Sequence, residues 1–263
     1  MPPLESGAWK TSVIPDEVAQ AHAQLNLDEK TLLYYLAKNF YTGFGDIIDA
    51  GAFLGGSATC LSCGLRDNMR VSDKTGRVHS FDNFRYSEGY AESWFGQKMV
   101  SGQNFRPIYE KYTAPYKEYL TVHQGNLEDL RWLGGDIELL FLDICKSTAT
   151  TDRVAEIFFP FLVPGKSIVV QQDYLFLGCS IWDKVMMEIL DRYFRRVTYC
   201  ERNSVAYLCV KKVPVIHSLM SNCTQDQLIH LAYNAANRWP DRERDIVEQA
   251  IQLYVKRWVQ GVV

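Results

Sequence analysis

The sequence predicts an α/β fold built on a doubly wound, mostly parallel sheet. Short apolar segments alternate with segments of helical periodicity over residues 45–212. A glycine-rich turn follows the first apolar segment, and a hairpin pattern closes the series. This order is typical of βαβ units, whose crossovers cover both faces of a parallel sheet with helices.

The strands of this sheet are predicted where short apolar runs end in polar or turn residues. The predicted strands are Ile47–Ala50, Arg77–Phe81, Leu120–Gln124, Ile137–Leu142, Ser167–Val170, Arg195–Cys200 and Val205–Val210. The helices predicted between them are Ser57–Met69, Thr151–Leu162 and Ile181–Tyr193. Arg202 and Asn203 form the predicted turn of the final hairpin.

The α/β domain has an extension at each end. Residues 1–44 form an arm and a helix, Leu27–Tyr41, with Asp28 as its predicted N-cap. Residues 45–212 form the α/β domain itself, and residues 213–263 form a helical extension of it. The apolar periodicity of the extension predicts helices at Gln225–Asn237 and Arg242–Val259. Arm and extension together are candidates for a homodimer interface.

Composition excludes several classes of function. A net charge of −3 without a basic stripe gives no support for nucleic-acid binding. No apolar run approaches the roughly 20 residues needed to span a bilayer, and residues 1–10 lack the pattern of a secretory signal. We therefore predict a cytoplasmic protein without membrane contact. The seven cysteines are scattered, which predicts neither a zinc site nor a disulfide framework.

The stretch Asp46–Ser57 organises the first half of the chain. It reads D-I-I-D-A-G-A-F-L-G-G-S, the pattern of a buried strand, a tight turn and a helix start. Gly51 allows a positive φ or the close approach of a ligand. The backbone N–H groups of Gly55, Gly56 and Ser57 are expected to point outward from the helix start. The alternative is a structural corner that binds nothing.

Asp82 ends the second predicted strand and is followed by Asn83. In a doubly wound sheet, a carboxylate at this position can accept hydrogen bonds from both hydroxyls of a ribose. The Asp-Asn pair is also ordinary turn chemistry. Gly125 and Asn126 close the third predicted strand, whose last residue is Gln124.

The segment 84–119 is rich in aromatic residues and glycines, and it is too long for a simple connection. Interleaved aromatics with glycine hinges suit a lid that covers a small-molecule acceptor and excludes water. The same residues also suit a locally packed helical subdomain, and the two interpretations are compatible.

Two motifs carry a resemblance to a known family. The spacing Asp49-x-Gly51-x-x-x-Gly55-x-Ser57 resembles motif I of the class I S-adenosylmethionine (SAM) methyltransferases, which have a Rossmann-like fold. The stretch 139–174, with L-L-F-L-D and later F-P-F-L-V-P-G-K-S-I-V-V-Q-Q-D-Y, resembles the macrocin O-methyltransferase group within that class. The resemblance implies a SAM-dependent enzyme that methylates a hydroxyl of a sugar or another natural product.

The resemblance also implies roles for individual residues. The residues that it implies for SAM binding are Asp49, Gly51, Ala52, Phe53, Gly55, Ser57, Asp82, Asn83, Gly125, Asn126 and Asp143. Within this arrangement, Gln124 and Asn126 are the candidates for contact with the adenine ring. Asp143, Asp173 and Lys146 are the candidate catalytic residues. Asp143 and Asp173 are also the candidate ligands of Mg²⁺, which prefers carboxylate and water oxygens.

The sequence departs from this family where the metal would bind. Gln171-Gln172-Asp173 stands in place of an Asp-Asp pair, and Lys146 lies near Asp143. Without a metal, Asp143 or Asp173 is a candidate general base, as is Lys146 if burial lowers its pKa. Two rival functions stay open, namely a SAM-binding scaffold without catalysis and a nicotinamide dehydrogenase. The sequence lacks the G-x-G-x-x-G fingerprint that is typical of nicotinamide dehydrogenases.

Overall fold

The computed structural model describes residues 4–178 and 180–259, and it contains a seven-stranded mixed sheet with flanking helices. The chain forms two compact units. The first comprises residues 9–43 and 47–130, and the second comprises the other described residues. The doubly wound α/β fold predicted from the sequence is confirmed.

The first unit contains three parallel strands in the order β3-β2-β1. They are β1 (Asp46–Ala50), β2 (Val78–Asp82) and β3 (Leu120–Gln124), each within one residue of its predicted bounds at both ends. Asp49 is paired in register with Ser80, and Phe81 with His123. The parallel register places the residues that end these strands at one edge, where ligands bind in α/β sheets.

The helices of the first unit begin with a short one, α1 (Asp16–Ala19), followed by α2 (Leu27–Tyr35). The prediction of Asp28 as the N-cap of α2 is wrong. The side chain of Asn26 accepts the N–H of Glu29, and the Glu29 carboxylate accepts the N–H of Asn26, which forms a capping box. The chain continues from α2 as a π-helical turn, Leu36–Phe40.

Helix α3 (Gly56–Arg66) follows the glycine turn and packs against α2. Gly64 makes this close packing possible, because a Cβ there would lie 2.4 Å from the carbonyl oxygen of Tyr34. Nearly every residue of α3 is buried, as expected for a helix covered on several sides.

The aromatic segment 84–119 contains helix α4 (Arg106–Thr113), whose position the sequence pattern did not predict. Its aromatic side chains form one buried cluster with the residues of the glycine turn. The buried aromatic members are Phe84, Tyr86, Phe95, Phe105 and Tyr109. The local packing predicted for this segment is confirmed, and its use as a lid stays a prediction.

The second unit contains four strands in the order β4-β5-β7-β6. They are β4 (Ile137–Leu142), β5 (Ile168–Gln171), β6 (Phe194–Tyr199) and β7 (Val205–Cys209). Strands β4 and β5 are parallel, whereas β7 runs antiparallel to both β5 and β6, so the predicted hairpin is confirmed.

The helices of the second unit are α5 (Thr148–Ile157), α6 (Trp182–Ile189), α7 (Gln225–Asn237) and α8 (Asp241–Val259). Helix α5 begins three residues before its predicted start because Ser147 and Thr150 form a capping box. Helix α7 packs against both α6 and α8. No described helix is long and apolar enough to cross a membrane.

Candidate active site

The glycine turn is tied directly to the strand beside it. Gly51 follows the last residue of β1 with φ +97°, a backbone conformation that residues with a Cβ rarely adopt. The N–H groups of Gly51 and Ala52 both donate to the carbonyl oxygen of Phe81 in β2, at 2.9 and 3.3 Å. The turn therefore has a defined position at the carboxyl end of β1, as the sequence predicted.

Asp49 is fully buried one residue before the end of β1. The hydroxyl of Ser80 donates to its Oδ2 at 3.1 Å, which matches their pairing in the sheet. Tyr109 of α4 lies close enough to Asp49 and Ser80 to interact with both, and burial raises the pKa of its phenol. Ser80 and Tyr109 were missed in the sequence because neither lies in a motif; only the strand register identifies Ser80.

The carboxylate of Asp82, at the end of β2, accepts hydrogen bonds from the backbone on both of its oxygens. Its Oδ2 accepts the N–H of Phe53 at 2.8 Å, and its Oδ1 accepts the N–H of Phe84 at 2.6 Å. Burial raises the pKa of Asp82, while hydrogen bonds from the backbone of Phe84, Phe53 and Asn83 lower it. A carboxylate offers about four lone-pair positions, so the hydrogen bonds from Phe53 and Phe84 leave room for a ligand hydroxyl to donate to Asp82.

Phe53 connects this carboxylate to the aromatic cluster. Its φ of +46° is unusual for a residue with a large side chain. Its ring packs 4.9 Å from Tyr90, 5.6 Å from Phe95 and 5.7 Å from Phe105, measured between ring centroids. The strained backbone is held because its N–H bonds Asp82 and its ring is enclosed by aromatics on several sides.

The helix start after this turn is filled by protein rather than open. A Cβ on Gly55, which has φ +88°, would lie 2.3 Å from Cγ2 of Thr113; one on Gly56 would lie 2.1 Å from Cβ of Ala23. The prediction that the N–H of Gly55 points outward is wrong, because it donates to the carbonyl oxygen of Ala52 at 2.8 Å. Ser57 is buried in the first turn of α3.

The candidate adenine contacts come together at the ends of β2 and β3. The N–H of Gly125 donates to the carbonyl oxygen of Asp82 at 3.1 Å, and the side-chain amide of Gln124 donates to that of Asn83 at 3.4 Å. Asn126 is exposed beside them. The structure thus groups every SAM-binding candidate from Asp49 to Asn126 within the first unit.

The candidate catalytic residues lie in the second unit, where Lys146 bridges two carboxylates. Its Nζ is 2.9 Å from Oδ1 of Asp143 and 2.9 Å from Oδ2 of Asp173. The three side chains are partly exposed, at 28% for Asp143, 47% for Lys146 and 19% for Asp173. Asp173 also has φ +63°, a conformation that aspartate tolerates better than most residues.

Behind Lys146 lies a small cavity of about 10 Å³, enough for about one water molecule. Ser180, Gln172 and Asp183 line it together with the three bridged residues. Burial raises the pKa of Asp183, and the neighbouring Lys184 and Lys146 lower it. Lys184 is itself fully buried and donates to Asp183 at 3.2 Å. This buried pair was missed in the sequence, where Asp183-Lys184 reads as an ordinary helix surface.

The residues present do not fit the predicted Mg²⁺ site. Lys146 places a positive charge between the two carboxylates, in the position that a bridging dication would need. The residues that the structure describes contain no group of three or more His, Cys, Asp or Glu side chains able to hold a metal ion. Nζ of Lys146 thus contacts both carboxylates, which suits a donor of hydrogen bonds better than a general base.

Residues 48–174 match the family model described as "Methyltransferase domain". No curated protein sequence matches the chain at a significant level. Among solved structures, the chain is similar to CalS11, named as a TDP-rhamnose 3′-O-methyltransferase of calicheamicin biosynthesis. The two are 16% identical, with 78% of this chain and 91% of that chain covered and a TM-score of 0.51.

Two further solved structures are similar at a lower score. The SAH-bound (S-adenosylhomocysteine-bound) methyltransferase PaMTH1 of Podospora anserina is 14% identical, with 79% of this chain and 94% of that chain covered and a TM-score of 0.49. An O-methyltransferase of Bacillus cereus in complex with SAH is 13% identical, with 79% and 97% covered and a TM-score of 0.49. The chain has the Rossmann-like fold of the class I methyltransferases, and its residues 48–174 match a methyltransferase domain.

Proposed function

We propose that this chain is a SAM-dependent methyltransferase that acts on a hydroxyl of a small molecule. The observation that carries the proposal is the glycine turn, which lies inside the matched methyltransferase domain and donates a backbone hydrogen bond to Asp82. A turn with a positive φ at Gly51 allows the close approach of a ligand, and the Asp82 carboxylate has room to accept a hydrogen bond from a ribose hydroxyl.

We assign residues of the first unit to SAM by their charge and by their place in the glycine turn. Asp49 and Asp82 would supply negative charge near the positively charged groups of SAM. Gly51, Ala52, Phe53, Gly55 and Ser57 would surround the methionine portion, and Asn83, Gly125 and Asn126 would contact the adenine. Bound SAM would supply an electrophilic methyl group for an in-line displacement. Because such a reaction needs alignment above all, a turn held by backbone hydrogen bonds suits it.

Asp143, Lys146 and Asp173 would act on the acceptor. A sugar hydroxyl is a poor nucleophile until its proton is removed or its oxygen is stabilised. Either Asp143 or Asp173 would accept that proton, since both carboxylates are partly exposed. The Lys146 ammonium would donate a hydrogen bond to the oxygen as negative charge develops on it. This assignment uses a side chain of the protein where a magnesium-dependent enzyme uses a dication.

A sugar or another natural product is the acceptor class that we favour. The support is the name of CalS11, which methylates a hydroxyl of TDP-rhamnose, together with the macrocin-like pattern of residues 139–174. A homodimer and a cytoplasmic location were expected from the sequence, and both stay predictions.

Calorimetric titration with SAM, SAH and NADH tests the cofactor. We expect SAH to bind and NADH not to bind, because the turn lacks the glycine spacing that admits a pyrophosphate. Asp82→Asn should weaken SAH binding about tenfold, whereas Asp73→Asn, on an exposed side chain of the same unit, should leave it unchanged. Binding of NADH alone would identify the chain as a nicotinamide enzyme and reject the proposal.

Transfer of a labelled methyl group from SAM to a panel of sugars, sugar nucleotides and phenols tests the catalytic role. The rival function, a SAM-binding scaffold, predicts SAH binding without transfer to any acceptor. For an active enzyme, Lys146→Met and Asp173→Asn should each reduce kcat by about 10²-fold or more while SAH binding stays constant. Lys166→Met, on an exposed lysine of the same unit, is the matched control.

A further inference from the structure

The second unit contains a cavity of about 340 Å³ whose lining does not include the candidate catalytic residues Asp143, Lys146 and Asp173. Arg196 of β6 and Tyr207 of β7 line it and are paired in the sheet. Tyr207 is paired in turn with Val169, two residues before the carboxyl end of β5. The cavity therefore opens over the middle of these strands, whereas Asp143 and Asp173 follow strand ends. We call it the Arg196 pocket.

Aromatic side chains form the apolar walls of the Arg196 pocket. Tyr174 is 6.1 Å from Tyr207 and 5.8 Å from Trp239, between ring centroids. All three rings are at least nine-tenths buried, so their positions are set by packing. Burial raises the pKa of Tyr174 to about 12 and that of Tyr207 above its usual range, so both phenols are neutral at pH 7. A flat apolar group of a ligand would find matching surfaces here.

Five charged side chains line the pocket, and four of them have partners of opposite charge. Arg238 forms ion pairs with Glu188 and with Asp191, the second at 3.0 Å. Arg195 forms an ion pair with Glu5. The fifth charged side chain is Arg196. Among the described residues, no carboxylate forms an ion pair with its guanidinium.

Arg196 is also held in place. Its guanidinium carbon lies 3.8 Å from the ring centroid of Trp239, a stacked cation–π geometry. Stacking occupies one face of the guanidinium and leaves the N–H edges available, and those edges match the two oxygens of a carboxylate. A fixed arginine fork beside neutral aromatic walls is a site for a planar anion.

We propose that the Arg196 pocket binds a small aromatic carboxylate, at a site separate from the one proposed for SAM and the acceptor. The carboxylate would pair with Arg196, and the ring would lie against Tyr174, Tyr207 and Trp239. Tyr174 directly follows Asp173, so an occupant of the pocket would contact the loop that carries a candidate catalytic residue.

The test is calorimetric titration of the full chain with 4-hydroxybenzoate, repeated with 4-hydroxybenzamide and with cyclohexanecarboxylate. We expect 4-hydroxybenzoate to bind, and each of the other two to bind at least tenfold more weakly, since one lacks the charge and the other lacks the flat ring. Equal binding of the amide would overturn the proposal, as would no detectable binding of 4-hydroxybenzoate at millimolar concentration.

Arg196→Gln locates the binding. It should weaken 4-hydroxybenzoate at least tenfold, with a circular dichroism spectrum like that of the wild type. Arg192→Gln is the control, because Arg192 is a nearby arginine that bonds Tyr193 and does not line the pocket. Saturating SAH should leave the affinity unchanged. Unchanged affinity in Arg196→Gln, or displacement of the probe by SAH, would refute the assignment to this pocket.

Discussion

Asp82 in the first unit ends the parallel strand β2, and Asp143 in the second directly follows the parallel strand β4, yet their carboxylates are held in opposite ways. Asp82 is partly buried, and backbone N–H groups of Phe53 and Phe84 hold it at 2.8 and 2.6 Å. Asp143 is partly exposed, and the flexible side chain of Lys146 holds it at 2.9 Å. The first arrangement cannot change without moving the chain, whereas the second can exchange partners through a side-chain rotation.

This difference indicates that the two regions have different roles in the proposed enzyme. Backbone donors keep the glycine turn in one conformation, which suits the binding of one cofactor in one pose. The flexible four-carbon side chain of lysine can change conformation at a small cost in free energy. This suits a group that binds an acceptor and stabilises the negative charge that develops on it. We therefore expect substitutions in the first region to affect stability, and substitutions in the second to affect activity with little effect on stability.

Gly55→Ala should have the largest effect on stability, because two costs add at this position. A positive φ costs about 1–2 kcal/mol for a residue with a Cβ. The new Cβ would also lie 2.3 Å from Cγ2 of Thr113, whose hydroxyl is held by the carbonyl oxygen of Tyr109. We expect a loss of about 2–5 kcal/mol in the free energy of unfolding, measured by urea denaturation.

Gly102→Ala separates these two costs. Gly102 has φ +79°, but no heavy atom lies within 4 Å of the position that a Cβ would take, so only the backbone strain applies. We expect a loss of about 1–2 kcal/mol. Equal losses in the two variants would show that Thr113 moves aside and that the turn is less rigid than the comparison requires.

After Gly55→Ala, Asp82→Asn should cause the next largest loss of stability. The amide keeps one acceptor oxygen but turns an N–H₂ group toward a backbone donor, which leaves a buried N–H without a partner. We expect a loss of about 1–3 kcal/mol in the free energy of unfolding at pH 7. Asp73→Asn should change it by less than about 0.5 kcal/mol, because that side chain is 72% exposed. A loss as small as that of Asp73→Asn would show that the hydrogen bonds of Asp82 contribute no more to stability than those of an exposed turn residue.

The stability difference between the wild type and Asp82→Asn should also depend on pH. Burial raises the pKa of Asp82 above its ordinary value of 3.8, so the folded state binds a proton more tightly than the unfolded state. The free energy of unfolding of the wild type, relative to Asp82→Asn, should therefore fall as pH rises from 3.8 through the folded pKa. Thermal unfolding from about pH 3 to pH 7 measures this difference, and an increase with pH would contradict it.

Lys146→Met should have the smallest effect on stability, between about 0 and 1 kcal/mol, because partly exposed ion pairs contribute little. It also leaves Asp143 and Asp173 without the ammonium between them. We expect Mg²⁺ to raise the Tm of this variant and not that of the wild type, measured by differential scanning fluorimetry. The same response in Lys166→Met or in the wild type would show that Lys146 does not take the place of a dication.

Much of the fold could be predicted from the sequence because its signals are local. The apolar strands, the glycine turn and the final hairpin follow from residue types a few positions apart, and every predicted strand is present. Helix α4 was not predicted, since its aromatic residues look alike whether they form a lid or a core. The N-cap of α2 was misassigned because Asn26 and Asp28 are both good caps, and only the start of the helix distinguishes them.

The sequence by itself determined the α/β fold, the turn at Gly51 and the acidic residues at the carboxyl ends of β2, β4 and β5. Only the tertiary structure decided which partners those acids have. Lys146 and Asp173 are 27 positions apart, and Phe53 and Asp82 are 29 apart. Residue type and local spacing determine backbone conformation, whereas the hydrogen bonds of a carboxylate depend on which distant groups the fold brings within about 3 Å of it.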